Sequence, residues 1–420
     1  MSGPATRAAI LAVGSEMLTP LRIDTNSLYI TEQLNQLGID VVFKGVVGDD
    51  RAELATAVRT ALERVTILVL SGGLGPTDDD LTREVVAEVL GRTLREDEAI
   101  TERIRQRFAA RGWTMPEINR RQAMVPDGAQ VLPNPHGTAP GLWIDDPPRL
   151  VLLLPGPPRE LKPMLRTLVE GPLLERAGTS TLRRRVIRIT GRTESHADEA
   201  LQPLYREWNA AAVPIAATIL AALGQIELYL TAQAPAADLA EHALERAVAQ
   251  VESLLGRDAY SSDGRTLEQV VGALLVERGW RIAVAESCTG GLITSRLTDV
   301  PGSSRYVDRS VVSYSNQAKI DLVGVAAATL EEHGAVSEAV AAAMADGMRA
   351  RAAVDVGIGV TGIAGPGGGT PEKPVGMVCV AAVTPGGSRV RTAKFLGERE
   401  QIKFQASQAA LDMVRRMILG

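Results

Sequence analysis

Cysteine is nearly absent. The 420 residues carry two, Cys288 and Cys379, so there is no disulfide framework and no metal-type cysteine spacing. Aromatic residues make up 3%, which obliges the cores to be aliphatic, built from Ala, Val, Leu and Ile. No apolar run approaches the ~18–20 residues that a membrane span needs. The opening M-S-G-P-A-T-R-A-A-I lacks the long apolar core of a signal peptide. There is no basic block and no Arg/Lys run interleaved with aromatics, and the net charge is -5, which argues against a nucleic-acid binder. A cytoplasmic protein without membrane contact is the expectation.

What remains is the composition of a globular protein, 45% apolar and 23% charged. Its length predicts two or three domains, and its pattern reads as α/β. From residue 8 it runs strand, loop, helix: A-A-I-L-A-V-G-S-E, a polar loop through Asp24, Thr25 and Asn26, then S-L-Y-I-T-E-Q-L-N-Q-L-G, with Gly38 as the helix stop. A strand over 39–47 leads into Gly48-Asp49-Asp50 and a helix over 51–64. The strand over 65–70 is apolar enough to be central in a parallel sheet. Such alternation predicts a doubly wound sheet with ligands at the carboxyl ends of its strands. A helix is expected over 101–125. A strand over 150–154 closes in P-G-P-P-R-E, which brings Glu160 to the same edge. His136, alone in a Pro/Gly loop, reads as structural or exposed. Residues 182–255 predict a small α+β module and 261–265 a linker, after which a second α/β domain begins at Leu267. No internal repeat is found.

In the first domain the informative loop is 71–82, S-G-G-L-G-P-T-D-D-D-L-T. Gly72, Gly73 and Gly75 let backbone approach a phosphate, and Thr77 with the next helix N-terminus adds donors. It is neither a dinucleotide fingerprint nor a Walker loop. Asp78, Asp79 and Asp80 beside a phosphate either bracket a divalent cation or cap the following helix, a reading that suits Asp79 best.

In the second domain the chain is organised around W-R-I-A-V-A-E-S-C-T-G-G-L-I-T-S-R-L, residues 280–297. A short apolar strand ends in Ser287-Cys288-Thr289-Gly290-Gly291 and feeds a helix. Hydroxyls and backbone N–H groups there suit an anion or an oxyanion developing on a carbonyl, although Ser287 or Thr289 as a plain helix cap explains the stretch equally. Tyr314 and Lys319 follow in S-Y-S-N-Q-A-K, and Thr361 opens a second glycine loop through Gly369. If these loops converge, a Lys319 with its pKa lowered by burial acts as base toward Ser287; otherwise it is a solvated helix residue. Cys288 reads as a small buried thiol.

Together these stretches resemble the CinA family along the whole chain. D-T-N, V-G-D-D, G-G-L-G-P-T-D-D-D-L-T, N-P-H-G-T-A-P-G and L-P-G-P-P-R-E are similar to its molybdopterin-binding-like (MoCF) domain, here 1–175. The stretch 180–258 resembles its KH-like insert. A-E-S-C-T-G-G, S-Y-S-N-Q-A-K and G-V-T-G-I-A-G-P-G-G are similar to its nicotinamide mononucleotide (NMN) deamidase domain, here 265–420.

The resemblance implies two hydrolases of pyridine-nucleotide recycling and a homodimer. The C-terminal one would convert NMN to nicotinic acid mononucleotide and ammonia without a cofactor. Ser287 would be the nucleophile, Lys319 and Tyr314 would handle protons, and the backbone at Thr361 and Gly362 with the 287–291 loop would hold the oxyanion or phosphate. Thr289, Gly290, Gly291, Asn316, Gly365 and Arg399 would bind substrate. The N-terminal one would split ADP-ribose to AMP and ribose 5-phosphate. It would use a divalent metal (Mg, Mn or Co) on Glu16, Asp24, Asp49, Asp78 and Asp80, with substrate held by Asn26, Gly72, Gly73, Gly75 and Thr77. Gly14-Ser15-Glu16-Met17-Leu18 stands where the family usually has Gly-Asp-Glu-Leu-Leu, which removes one carboxylate from that set. The competing expectations are a non-catalytic nucleotide or molybdopterin binder, and a competence or DNA-damage accessory factor.

Overall fold

The computed structural model describes residues 6–177 and 181–420. The chain divides into two compact units, 1–183 with 232–243, and 184–231 with 244–420. No helix among the described residues is long and apolar enough to cross a membrane.

The first unit is built on strands β1 (Arg7–Val13), β2 (Asp40–Val47), β3 (Ile67–Ser71), β4 (Leu94–Glu96), β5 (Met124–Pro126), β6 (Gln130–Leu132), β7 (Gly141–Asp146) and β8 (Arg149–Leu154). Six of them form a sheet in the order β2-β1-β3-β8-β7-β6. The first four are parallel, and β7 and β6 run antiparallel. Alternate side chains of β1 and β3 serve opposite faces. Leu11, Val13, Leu68 and Leu70 pack with helices Arg51–Leu62 and Thr82–Val89. Ile10, Ile67 and Val69 pack with helices Asn26–Gln36 and Pro158–Val169. Burial on both faces is why these strands are continuously apolar, and the doubly wound arrangement expected from the sequence is present. The helix expected over 101–125 is not. A helix spans Glu98–Ala109, Gly112 turns left-handed at φ 74°, and Pro116 precedes a short 3-10 turn, Glu117–Ala123, and β5. A left-handed glycine and a proline four residues apart cannot be carried inside one helix.

The remaining strands form two sheets. Strands β9 (Thr181–Ile189), β10 (Ile215–Ala222), β11 (Gln225–Ala234) and β12 (Ala259–Ser261) form one, in the order β10-β11-β9-β12. Helix Glu194–Asn209 lies between β9 and β10 in the chain. Ser261, expected in a linker, instead pairs in β12 against β9. The other sheet uses β13 (Ile282–Glu286), β14 (Val307–Val312), β15 (Val356–Gly362), β16 (Met377–Thr384) and β17 (Gly387–Lys394), in the order β14-β13-β15-β16-β17. β14, β13 and β15 are parallel, and β16 and β17 are antiparallel. One face packs on helices Leu267–Arg278, Leu292–Thr298 and Arg399–Ile418. The other packs on the Ala-rich helix Glu338–Ala352. A Cβ at Gly357 or Gly359 would fall 2.3 or 2.2 Å from the carbonyl oxygens of Ala345 or Ala341. A core poor in aromatics is thus closed by bringing backbones together.

Candidate functional site

Two places gather the residues singled out in the sequence. In the first unit, a cavity of about 650 Å3 opens at the carboxyl ends of β1, β3 and β8. Its floor is the glycine loop. Gly72, at φ 108°, passes so close to β1 that a Cβ would lie 2.2 Å from the Val13 carbonyl oxygen. Thr82 Oγ1 donates to the Gly72 carbonyl at 2.9 Å. Arg83, with 0% exposure, donates to the carbonyls of Leu74 (2.8 Å) and Gly75 (2.9 Å). Burial lowers the pKa of this guanidinium to about 10, which leaves it charged at neutral pH. Asn26 Nδ2 donates to Ser71 Oγ (3.0 Å) and the Gly156 carbonyl (2.7 Å), while its Oδ1 is buried with no partner.

Glu16, Asp24, Asn26, Asp49, Gly72, Gly73, Gly75 and Asp80 line this cavity, and so do Asp79 and the buried Glu160. Two expected residues do not. Asp78 is fully exposed and pairs with Arg121 at 3.0 Å. Thr77 spends both its N–H and its hydroxyl on Asp80 Oδ2, at 2.9 and 2.5 Å, so neither donor is free for a phosphate. Asp79, expected to cap the next helix, instead lines the cavity, and that helix, Thr82–Val89, has no side-chain cap. Other carboxylates are also committed. Asp24 accepts from the Ser27 N–H at 2.9 Å, and Asp49 from the Ser15 N–H at 2.7 Å, with Ser15 Oγ accepting from the Asp49 N–H in return. Among the described residues no three His, Cys, Asp or Glu gather to hold a metal ion. The carboxylates present therefore do not form a ready metal cage. Glu160 is oriented by Asn134 Nδ2 at 2.8 Å, and Asn134 Oδ1 accepts from the N–H groups of His136 and Gly137, which gives the N-P-H-G loop its structural purpose.

In the second unit, β13 ends in Glu286, and the turn Ser287–Gly291 leads into helix Leu292–Thr298. Glu286 has 0% exposure. Its carboxylate accepts from the N–H groups of Gly291 (2.9 Å), Ile293 (3.2 Å) and Thr294 (3.0 Å) and from the Thr294 hydroxyl (2.8 Å). The helix N-terminus expected to hold an anion thus already holds one from the chain itself. This leaves the amides of Cys288 and Thr289 ahead of it. Thr289 Oγ1 is buried beside the turn with no partner, and a group of that kind is open to a ligand or a water.

Lys319 sits on helix Asn316–Val323, which Ser315 caps, and is 1% exposed. Its Nζ lies 3.1 Å from Ser287 Oγ, 2.9 Å from the Ser313 carbonyl oxygen and 3.3 Å from that of Tyr314. No carboxylate is among these neighbours, and burial pulls its pKa below the usual lysine range. Three partners of this kind suit a neutral amine, with two N–H donors for two carbonyls and a lone pair for a hydroxyl proton. Burial pushes the neighbouring Cys288 thiol up to about 12, so it stays protonated and is no competing nucleophile.

The other expected residues are placed differently. Tyr314 offers Lys319 its carbonyl, while the residue is 61% exposed and its hydroxyl accepts from Arg399 Nη2 at 3.1 Å; in this arrangement it carries no proton for Lys319. Thr361 is buried, and its hydroxyl donates to the Ala335 carbonyl at 2.8 Å, so its side chain fastens β15 instead of facing Ser287. Asn316 is exposed in the first helical turn. Arg399 Nη1 donates to the Gly365 carbonyl at 2.7 Å, which ties the Gly362–Gly365 segment of the second glycine loop to helix Arg399–Ile418. One turn on, Lys403 reaches the 287–291 turn, where a Cβ at Gly290 would lie 3.6 Å from its Nζ. Lys403, Glu286 and Ser313 are the residues that sequence reasoning missed. For Lys403 a signal existed, since a cation four residues after Arg399 shares its helix face.

Comparison with known proteins agrees with this two-part organisation. The family profile described as "Probable molybdopterin binding domain" matches residues 9–176, and the one described as "CinA C-terminal domain" matches residues 264–418. A CinA-like protein from Koribacter versatilis is 45% identical over 416 residues, spanning 98% of this chain and all of that one. A CinA-like protein from Acidobacterium capsulatum is 47% identical over the same share of each. The crystal structure of competence/damage inducible protein CihA from Agrobacterium tumefaciens is 40% identical and covers 36% of this chain and 93% of its own, with a TM-score of 0.35. This chain belongs to the CinA family.

Proposed function

We propose that the C-terminal domain is an amidohydrolase that converts NMN and water to nicotinic acid mononucleotide and ammonia. The observation that carries this reading is the buried Lys319 amine held 3.1 Å from Ser287 Oγ with no carboxylate at hand. Neutral Lys319 takes the hydroxyl proton as Oγ attacks the carboxamide carbon. The oxyanion that forms is met by the amides of the 287–289 turn. Lys319 then returns the proton to the nitrogen, the C–N bond breaks, and ammonia leaves an ester on Ser287. A water deprotonated by the same amine attacks that ester, and Ser287 departs with the proton. Arg399 and Lys403, with no carboxylate partner among the described residues, suit the 5′-phosphate. Tyr314 serves here as a positioning residue for Arg399. Ammonia release from NMN by wild type and by Ser287→Ala, each with and without EDTA, tests the reading. Release that survives the substitution removes Ser287 as nucleophile, and loss in EDTA removes the metal-free mechanism.

For the N-terminal domain we propose that the cavity over the glycine loop takes a nucleoside diphosphate such as ADP-ribose, to be hydrolysed to AMP and ribose 5-phosphate. The unpartnered Asn26 Oδ1 on the cavity wall favours a polar ligand there. Among the described residues the carboxylates do not assemble a metal cage there. AMP formation from ADP-ribose, measured with Mn2+ and with EDTA, separates turnover from binding. Saturable binding without AMP makes this domain a non-catalytic binder.

A further inference from the structure

A second cleft in the same unit as Ser287, about 950 Å3 in volume, belongs to neither site above. That size accommodates a nucleotide. Two of its arginines are fixed in place. Arg192 Nε lies 2.6 Å from Asp258 Oδ2, and Arg416 lies 2.9 Å from Asp258 Oδ1 and 2.7 Å from Asp412 Oδ2. The same cleft is lined by Arg389 and Arg391, alternate residues on one side of the exposed edge strand β17. Neither makes an ion pair among the described residues. Four guanidinium groups therefore face two carboxylates, and a shared cleft focuses that surplus. Phe395 and Met413 add apolar surface to the same walls.

Gln408 lines the cleft as well. It accepts from Arg296 and donates to Gln225 Oε1 at 3.1 Å, so its amide is held and the wall is rigid at that point. Held arginines, unpaired arginines and an apolar surface in one cleft make a recognition surface for a ligand that is polyanionic at one end and planar at the other. We propose that this cleft is a binding site for a nucleoside diphosphate, separate from both hydrolase sites.

The test is equilibrium dialysis of radiolabelled ADP against the full chain in EDTA. Wild type is compared with Arg389→Ala/Arg391→Ala and with Arg399→Ala/Lys403→Ala. Wild type is expected to show a class of sites that the first double variant binds about tenfold or more weakly, a difference of about 1.4 kcal/mol or more, and that the second double variant keeps. Thermal unfolding checks that the first variant is folded, which its exposed strand positions favour. Equal binding by wild type and Arg389→Ala/Arg391→Ala overturns the proposal. Absence of ADP binding by wild type, or equal loss in both double variants, overturns it too, the latter because a general charge effect would then account for the binding.

Discussion

The glycine loop after β3 and the turn after β13 have the same construction, a buried strand running into small residues and then a helix, yet they spend their polar groups differently. Around the cavity that the first loop floors carboxylates are abundant, and much of that chemistry is used internally. Asp80 holds Thr77, Asp24 holds Ser27, Asp49 holds Ser15, and Asp78 turns out to Arg121. After β13 one carboxylate, Glu286, satisfies the helix N-terminus by itself, and the adjacent serine is left facing a buried amine. The difference teaches that a cluster of acids is weaker grounds for a reactive site than one ionisable group held without a counter-charge, because free backbone N–H groups consume carboxylates first.

Substitutions sharpen this contrast, and the largest effect is expected at Ser287. Ser287→Ala should lower NMN deamidation on the order of 10^4-fold or more while ADP-ribose binding in the first unit stays unchanged. An equal loss in both assays breaks the contrast by showing a folding defect. Next is Lys319→Ala, expected to cost about 10^2- to 10^4-fold in kcat/KM. The wild-type pH profile belongs to the same test. Burial lowers the folded pKa of Lys319, so kcat/KM should rise with pH along a limb whose midpoint lies below the ordinary lysine value of 10.5. The sign for stability agrees. Between the folded and the unfolded pKa the unfolded chain binds more protons, so stability rises with pH through that window. Denaturant titrations of wild type should show a rise that Lys319→Ala lacks.

Arg399→Ala should raise KM for NMN about tenfold with a smaller change in kcat, because a phosphate contact is made equally in ground and transition states. A fall in kcat with KM unchanged would instead give Arg399, or the Tyr314 it holds, a part in the chemistry. Smaller again, Glu286→Gln should destabilise the second unit by ~2 kcal/mol in urea unfolding, since a buried carboxylate with four donors is replaced by an amide that must aim its own N–H groups at them. The smallest effect is expected at Asp78. Asp78→Asn should stay within ~0.5 kcal/mol of wild type and leave ADP-ribose turnover unaltered, whereas a large loss of turnover would return Asp78 to the site.

Much of the architecture was legible because it follows from period and punctuation. Apolar runs such as 65–70 and 150–154 announce central parallel strands, and the helix expected over 51–64 is found at Arg51–Leu62. The exceptions are 101–125, where an amphipathic start hid the stop at Gly112 and Pro116, and Ser261, which pairs in β12 where a linker was expected. The Ser287–Lys319 pair was legible only as a possibility. The two residues lie 32 positions apart, and their meeting depends on β13 and β14 pairing in parallel so that both loops emerge at one edge.

By itself the sequence determined most of the strands and helices, which loops carry glycine and hydroxyls, and that the cores are aliphatic, because each of these is written in local spacing and residue type. Tertiary structure alone decided which polar groups are free. Glu286 turned inward, Thr361 tied to Ala335, Asp78 turned outward and Lys319 buried without a partner carboxylate are outcomes of packing. The reason is that hydrogen-bond supply and desolvation are set by neighbours distant in the chain.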